Sequence, residues 1–135
     1  MDRRTFLTSI AASGFAGPAL AAAGQDYTPG LVKKKLAEGK TVFVDFYTDW
    51  CTTCKRQERV IGALRGANPA YESIEFVAIN FDTYGREGLA RELRIPRRST
   101  LVVLSPEGEL GRLVAGTSQN DIKALMDIAL NAATA

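Results

Sequence analysis

Runs of apolar positions break the chain into a regular alternation of elements. TVFVDFY, residues 41 to 47, is rich in β-branched and aromatic residues and reads as a buried strand. SIEFVAINF, 73 to 81, and STLVVL, 99 to 104, read the same way. SPEG, 105 to 108, has Ser, Pro and Gly where a type I turn wants them, so ELGRLVAG should return as the second strand of a hairpin. Between the strands the period lengthens. Thr28-Pro29 opens a helix through LVKKKLAE, with Thr28 as cap and Gly39 as stop. From Thr52 to about Gly66 the pattern is helical, with Val60, Ile61 and Leu64 on one face, and Asn68-Pro69 ends it. Gly85 to Arg94 reads as a short helix with Glu87 and Arg91 at a supporting spacing. Ser118 caps a last helix carrying Ile122, Leu125, Met126, Ala129 and Leu130 on one side. The order α-β-α-β-α-β-β-α implies one parallel strand pair joined by a crossover helix, extended by an antiparallel hairpin. The fold class is α/β, a mixed β-sheet flanked by helices on both faces.

The first 23 residues break this pattern. Arg3 and Arg4 precede a mildly apolar stretch, and Ala19-Leu20-Ala21 and Ala21-Ala22-Ala23 are both acceptable cleavage sites. Residues 1–23 therefore read as a secretory signal peptide and 24–135 as one exported domain. RRTFL resembles the twin-arginine export signal, and the weak hydrophobicity broken by Gly14 and Gly17 favours that route over an ordinary signal. No later stretch reaches ~18 consecutive apolar residues, so the exported part is expected to be soluble in the periplasm.

Composition excludes more than it selects. The chain of 135 residues has a formal net charge of +2, and its basic residues form no long run, so nucleic acid is not an expected partner. The absence of histidine removes the commonest metal ligand and the commonest general base. Chemistry then rests on DWCTTCK, 49 to 55, which holds the two cysteines of the chain, Cys51 and Cys54. As a staple the pair is weak, because closing a four-residue loop stabilises by only about 2 kcal/mol. As a metal clip it has Met126 as the one further soft ligand outside the signal segment. As a redox pair it is well placed. Cys51 follows a strand and opens a helix, where unpaired N–H groups favour thiolate. Cys54 lies one turn along, within reach of a mixed disulfide on Cys51. On this reading Cys51 is the exposed attacking thiol and Cys54 the resolving one. Asp45, a carboxylate inside an apolar strand, should have its pKa raised by desolvation. A carboxylate at a solvated strand edge and a buried core Trp50 are the plainer readings of those two residues.

VDFYTDWCTTCK, 44 to 55, resembles the active-site segment of the thioredoxin superfamily, and YTDWCTTCK is similar to the C-terminal domain of DsbD-type bacterial thiol reductants. The resemblance runs from about Thr41 to Leu130. It implies a thioredoxin fold, with Cys51 as nucleophile, Cys54 as resolving thiol, Asp45 as the buried acid that assists proton transfer, and Trp50 shaping the surface beside the pair. It also implies that Ser99 and Thr100 take part in substrate docking, because thioredoxins carry a cis-proline followed by threonine at that point. Here Ser99 stands in place of the proline, and Pro96 lies three residues too early. A cis bond before a non-proline residue costs ~3 kcal/mol, so a trans bond is expected. Ala78 stands where many thioredoxins have a lysine near the acid. Arg94, Arg97 and Arg98 crowd the loop before Ser99, and the fold would bring that loop beside Cys51.

The resemblance implies a thiol–disulfide oxidoreductase that needs no cofactor or metal. Thr52-Thr53 offers no histidine to stabilise a thiolate, which favours the reductase direction. Protein disulfides are then the substrates, a membrane thiol-reductant transporter is the electron donor, and the protein acts as a monomer. A disulfide-forming oxidant and a non-catalytic binding module are the rival readings.

Overall fold

The structure is a computed structural model and describes residues 24–135; the expected signal peptide lies outside the described residues. Five strands form one sheet: β1 (Gln25–Asp26), β2 (Val42–Tyr47), β3 (Glu75–Asn80), β4 (Thr100–Ser105) and β5 (Gly108–Val114), in the order β1-β3-β2-β4-β5. β2 and β3 are parallel, and β4 runs antiparallel to both β2 and β5. The helices are α1 (Leu31–Ala37), α2 (Thr52–Ala67), α3 (Phe81–Tyr84), α4 (Gly88–Glu92) and α5 (Gln119–Ala133). This is the mixed, helix-flanked α/β architecture that the hydrophobic pattern predicts.

The strand pleat sorts the core into two layers. Phe43 joins Ile61, Leu64, Leu101, Val103, Ile122 and Met126 under α2 and α5. Val42, Val44 and Phe46 face the other way, onto Val32, Leu89 and Ile95. By the same alternation Asp45 lies on the face of Phe43, the face that α2 covers. The buried stripe of α2 is Cys54, Gln57, Ile61 and Leu64, at helical spacing.

Several expected boundaries move for local reasons. α1 starts at Leu31, and its N-cap is Gly30 at φ +89°, not Thr28; the Thr28 carbonyl accepts from Leu31 N–H in the preceding turn instead. The predicted helix 85–94 shrinks to α4, preceded by α3, because the Asn80 side chain accepts from the N–H groups of Asp82 and Thr83 and starts a helical turn at once. Gly88 then sits at φ +55°, a left-handed conformation that a continuous helix does not contain. Between β4 and β5 the register slips after Val103, which pairs with Gly111 while Leu104 pairs with Glu109. Leu110 is the extra residue of that bulge and stays exposed.

Ile122 has no exposed surface and joins α5 to the layer under α2. Ile122→Ala is expected to destabilise by about 2–5 kcal/mol, lost transfer energy plus a cavity. Denaturant unfolding should show a lower midpoint with an unchanged slope.

Candidate active site

The sequence places two cysteines at a strand–helix junction, and the structure turns both sulfurs inward there. Cys51 is the N-cap of α2 in extended conformation, and its Sγ accepts from Cys54 N–H at 3.1 Å. Cys51 and Cys54 form a disulfide, with Cα atoms 5.3 Å apart. A cap position normally calls for an oxygen acceptor. Here a sulfur fills it, which puts Cys51 Sγ at the positive end of the helix. Cys51 is 3% exposed and Cys54 0%, which corrects the expectation of an exposed Cys51. The cause is the capping geometry itself, since a sulfur that reaches back to the Cys54 N–H points along the helix rather than away from it.

Ser99 meets the pair from the opposite side. Its Oγ lies 3.1 Å from Cys51 Sγ and 3.1 Å from Cys54 Sγ, and the residue is fully buried. No peptide bond among the described residues is cis, and Ser99 adopts φ +66°. Its N–H donates to the Phe46 carbonyl at 2.7 Å. Its own carbonyl accepts from Ala115 N–H at 2.8 Å and from Gln57 Nε2 at 3.0 Å. Thr100 is also buried, and its hydroxyl donates back to the Arg97 carbonyl.

Gln57 was not singled out from the sequence. It is fully buried and donates also to the Gly116 carbonyl at 2.9 Å, so one amide ties α2 to the loops at both ends of the β4–β5 hairpin. Its signal was its register: a polar residue three places after Cys54, in line with Ile61 and Leu64 on the buried face.

Asp45 is 1% exposed, and neither carboxylate oxygen has a hydrogen-bond partner. Burial pushes its carboxyl well above the ordinary range, and the charge of Glu58 pushes the same way. Glu58 is raised as well, first by its own partial burial; Asp49 adds to this and Lys55 opposes it. Cys54 and Glu58 lie one helical turn apart on α2, above the strand face that carries Asp45. Ala78 sits directly across from Asp45 in the β2–β3 register, so no cation offsets the acid from that strand.

Trp50 is 60% exposed beside the pair. Its Nε1 donates to Asp82 on α3 at 2.8 Å, and the Arg98 guanidinium lies 4.2 Å over its ring. Arg98 thus does border the site, with Arg97 Nε donating to the Arg98 carbonyl. The Arg94 carbonyl accepts from Arg112 instead. Among the described residues no group of three or more His, Cys, Asp or Glu side chains is placed to hold a metal ion. No helix of the described residues is long and apolar enough to cross a membrane.

A buried disulfide at a helix N-terminus, with a buried acid beneath the same helix, is equipped for two-electron exchange through sulfur. Known proteins place it in a family. The thioredoxin family model matches residues 25–128. The chain is 28% identical over 87 residues to the Pseudomonas aeruginosa thiol:disulfide interchange protein DsbD 2, covering 63% of this chain and 15% of that protein. It is 28% identical over 94 residues to mitochondrial thioredoxin-2 of Schizosaccharomyces pombe, covering 70% of this chain and 64% of that one. It therefore spans only a small part of the first of these relatives. The solved structure of Trxlp from Edwardsiella tarda is 32% identical with a TM-score of 0.66, covering 75% of this chain and 96% of that one. The Malassezia sympodialis thioredoxin, at 21% identity and a TM-score of 0.64 over 80% of this chain and 94% of that one, shares the fold. With the family model spanning the whole sheet and the Cys-x-x-Cys pair, the chain belongs to the thioredoxin family.

Proposed function

We propose that the protein is an exported thiol–disulfide oxidoreductase that reduces protein disulfides in the periplasm. The observation that carries this reading is the Cys51–Cys54 pair itself, a disulfide whose first sulfur caps α2. In the forward reaction the Cys51 thiolate attacks one sulfur of a substrate disulfide. A Cys51–substrate bond forms, the substrate S–S bond breaks, and the leaving thiolate takes a proton from solvent. Cys54 then gives its proton to the Asp45 carboxylate, attacks Cys51 Sγ and expels the second substrate thiolate. Two electrons pass from the pair to the substrate, and the pair ends as the disulfide.

Asp45 suits the acceptor role because its raised pKa brings it toward that of a thiol, which lowers the cost of proton transfer. Trp50 is the exposed rim that a substrate meets first, with the half-buried Arg98 over its ring. The reductase direction is supported by the absence of histidine between the cysteines and by the likeness to DsbD proteins. Such a reductant in an oxidising compartment needs recharging, and a membrane thiol-reductant transporter is the donor that fits. The twin-arginine-like leader of residues 1–23 supports export, and we take the working unit to be a monomer without metal or cofactor.

Equilibration in defined thiol–disulfide buffers is expected to give a reduction potential near that of thioredoxin, around −270 mV; a value near that of DsbA, about −120 mV, would reverse the direction. Cys54→Ala should accumulate a stable mixed disulfide on Cys51 with substrate, detected by non-reducing electrophoresis, whereas Cys51→Ala should trap none. For Asp45 the folded pKa lies above the unfolded one, so the folded protein holds the extra proton between the two values. Stability should fall as pH rises from the ordinary carboxylate range through the folded pKa, and stay low above it. Asp45→Asn should remove that slope and raise the denaturation midpoint more at pH 8 than at pH 5, while slowing resolution of the mixed disulfide.

A further inference from the structure

We propose that the Ser99 hydroxyl is a catalytic hydrogen-bond donor that follows the negative charge from one sulfur of the pair to the other, and that Gln57 is the positioning residue that holds it there. The inference deepens the redox reading above and rests on it.

Ser99 Oγ lies at the same distance, 3.1 Å, from both sulfurs. In the disulfide neither sulfur carries a hydrogen, so the hydroxyl must be the donor. It has one hydrogen and two acceptors. A disulfide sulfur is a weak acceptor, whereas a thiolate receives a charge-assisted bond that is shorter and stronger. The donor therefore contributes little to the oxidised pair and much more to whichever sulfur is charged. In the reduced enzyme it favours the Cys51 thiolate, together with the Cys54 N–H. After the first attack Cys51 Sγ is bound to substrate and neutral, and the same hydrogen swings to Cys54 as that thiol loses its proton. No bond to Ser99 is made or broken, and the electron count is that of the exchange alone.

Such a donor works only if it is held. Ser99 is a non-glycine residue at φ +66°, which costs conformational energy and persists only where its surroundings over-determine it. Its N–H is bound by Phe46, and its carbonyl by Ala115 and Gln57. Gln57 stands three residues after Cys54 on α2, so the helix that carries the sulfur also fixes the donor. With the Gly116 carbonyl as second acceptor, the amide nitrogen holds Ser99 and the far end of the hairpin at once.

The test compares reduced wild-type protein with Ser99→Gly, Ser99→Ala, Gln57→Met and the double variant Ser99→Gly with Gln57→Met. Cys51 is titrated by thiolate absorbance and by the pH dependence of its alkylation rate. Charged groups on the surrounding elements are Asp45 on β2, Asp49 before α2, and Lys55 and Glu58 on α2. Arg56 and Arg59 on α2, Asp82 on α3, and Arg97 and Arg98 before β4 are further charged groups there. All of them stay in every variant, so the differences report the hydroxyl. Glycine accepts the left-handed backbone, and alanine keeps the Cβ, so agreement between the two separates the hydroxyl from loop freedom.

Ser99→Gly and Ser99→Ala should each raise the Cys51 pKa by about one unit, a tenfold loss of thiolate below both values, since a hydrogen bond to a charged group is worth at least that much. The pair's potential should fall by about 30 mV for each tenfold change in its equilibrium constant. Gln57→Met should shift both readouts in the same direction by a smaller amount, and add nothing in the Ser99→Gly background. A Cys51 pKa unchanged in both Ser99 variants, with wild-type exchange intact, overturns the proposal and leaves the redox reading standing. A wild-type pair that does not exchange with thiol buffers overturns both.

Discussion

The Ser99 N–H bond to the Phe46 carbonyl is the contact on which the site depends. β2 and β4 pair antiparallel through Thr100 opposite Phe46, and this bond carries the pairing one residue further. It fixes where β4 begins, at the end of β2 that leads into Cys51. Without it, the loop of Arg97 and Arg98 has no defined distance from the α2 N-terminus. With it, a hydroxyl lands on both sulfurs, and an arginine lands over Trp50. The sheet thus does more than form a core. Its central pairing sets the spacing between a helix end and a loop that are nearly fifty residues apart in sequence.

Two opposing influences meet at the pair. The α2 N-terminus, the Cys54 N–H and the Ser99 hydroxyl all favour negative charge on sulfur. Asp45 and Glu58 are both desolvated, and the charge of Glu58 adds to the rise at Asp45; both oppose further negative charge in the same region. Donors act on a sulfur at hydrogen-bond distance, whereas the acid acts through its protonation. In the proposed exchange Asp45 takes the proton of Cys54 as a carboxylate and becomes neutral in doing so, which removes one negative charge from beside the forming Cys54 thiolate. The first step of the proposed exchange is governed by the donors and the second by the acid. That separation lets one small site run two steps with different charge demands.

The sequence carried the strands and the pair plainly, because both signals are local. Val42 to Phe46 and Leu101 to Leu104 are apolar runs bounded by turn residues, and a Cys-x-x-Cys at a strand–helix junction is read from a dozen residues. The short strand β1 had no such signal: its two exposed residues, Gln25 and Asp26, are a strand only because β3 offers an edge. Asn80 ends β3 by capping a turn, which a β-rich run ending in Phe81 conceals. Gln57, the Trp50–Asp82 bond and the contact of Ser99 with both sulfurs depend on residues 32 to 59 positions apart. Spacing rules do not reach across such distances; only the register of the sheet does.

A proline at position 99 would supply neither the N–H nor the hydroxyl, so the serine changes what the backbone here is able to do. Its N–H is bound by Phe46, and its carbonyl already accepts twice, from Ala115 and Gln57. Ser99 has no backbone group left to pair with an incoming strand. At this rim the side chain of Trp50 is held by Asp82 from one side and covered by Arg98 from the other. The interior of the site is held by a set of buried hydrogen bonds, while at its surface Trp50 has one hydrogen bond and one cation–π contact. That division suits chemistry that demands fixed distances at sulfur and tolerates variety in what delivers the disulfide.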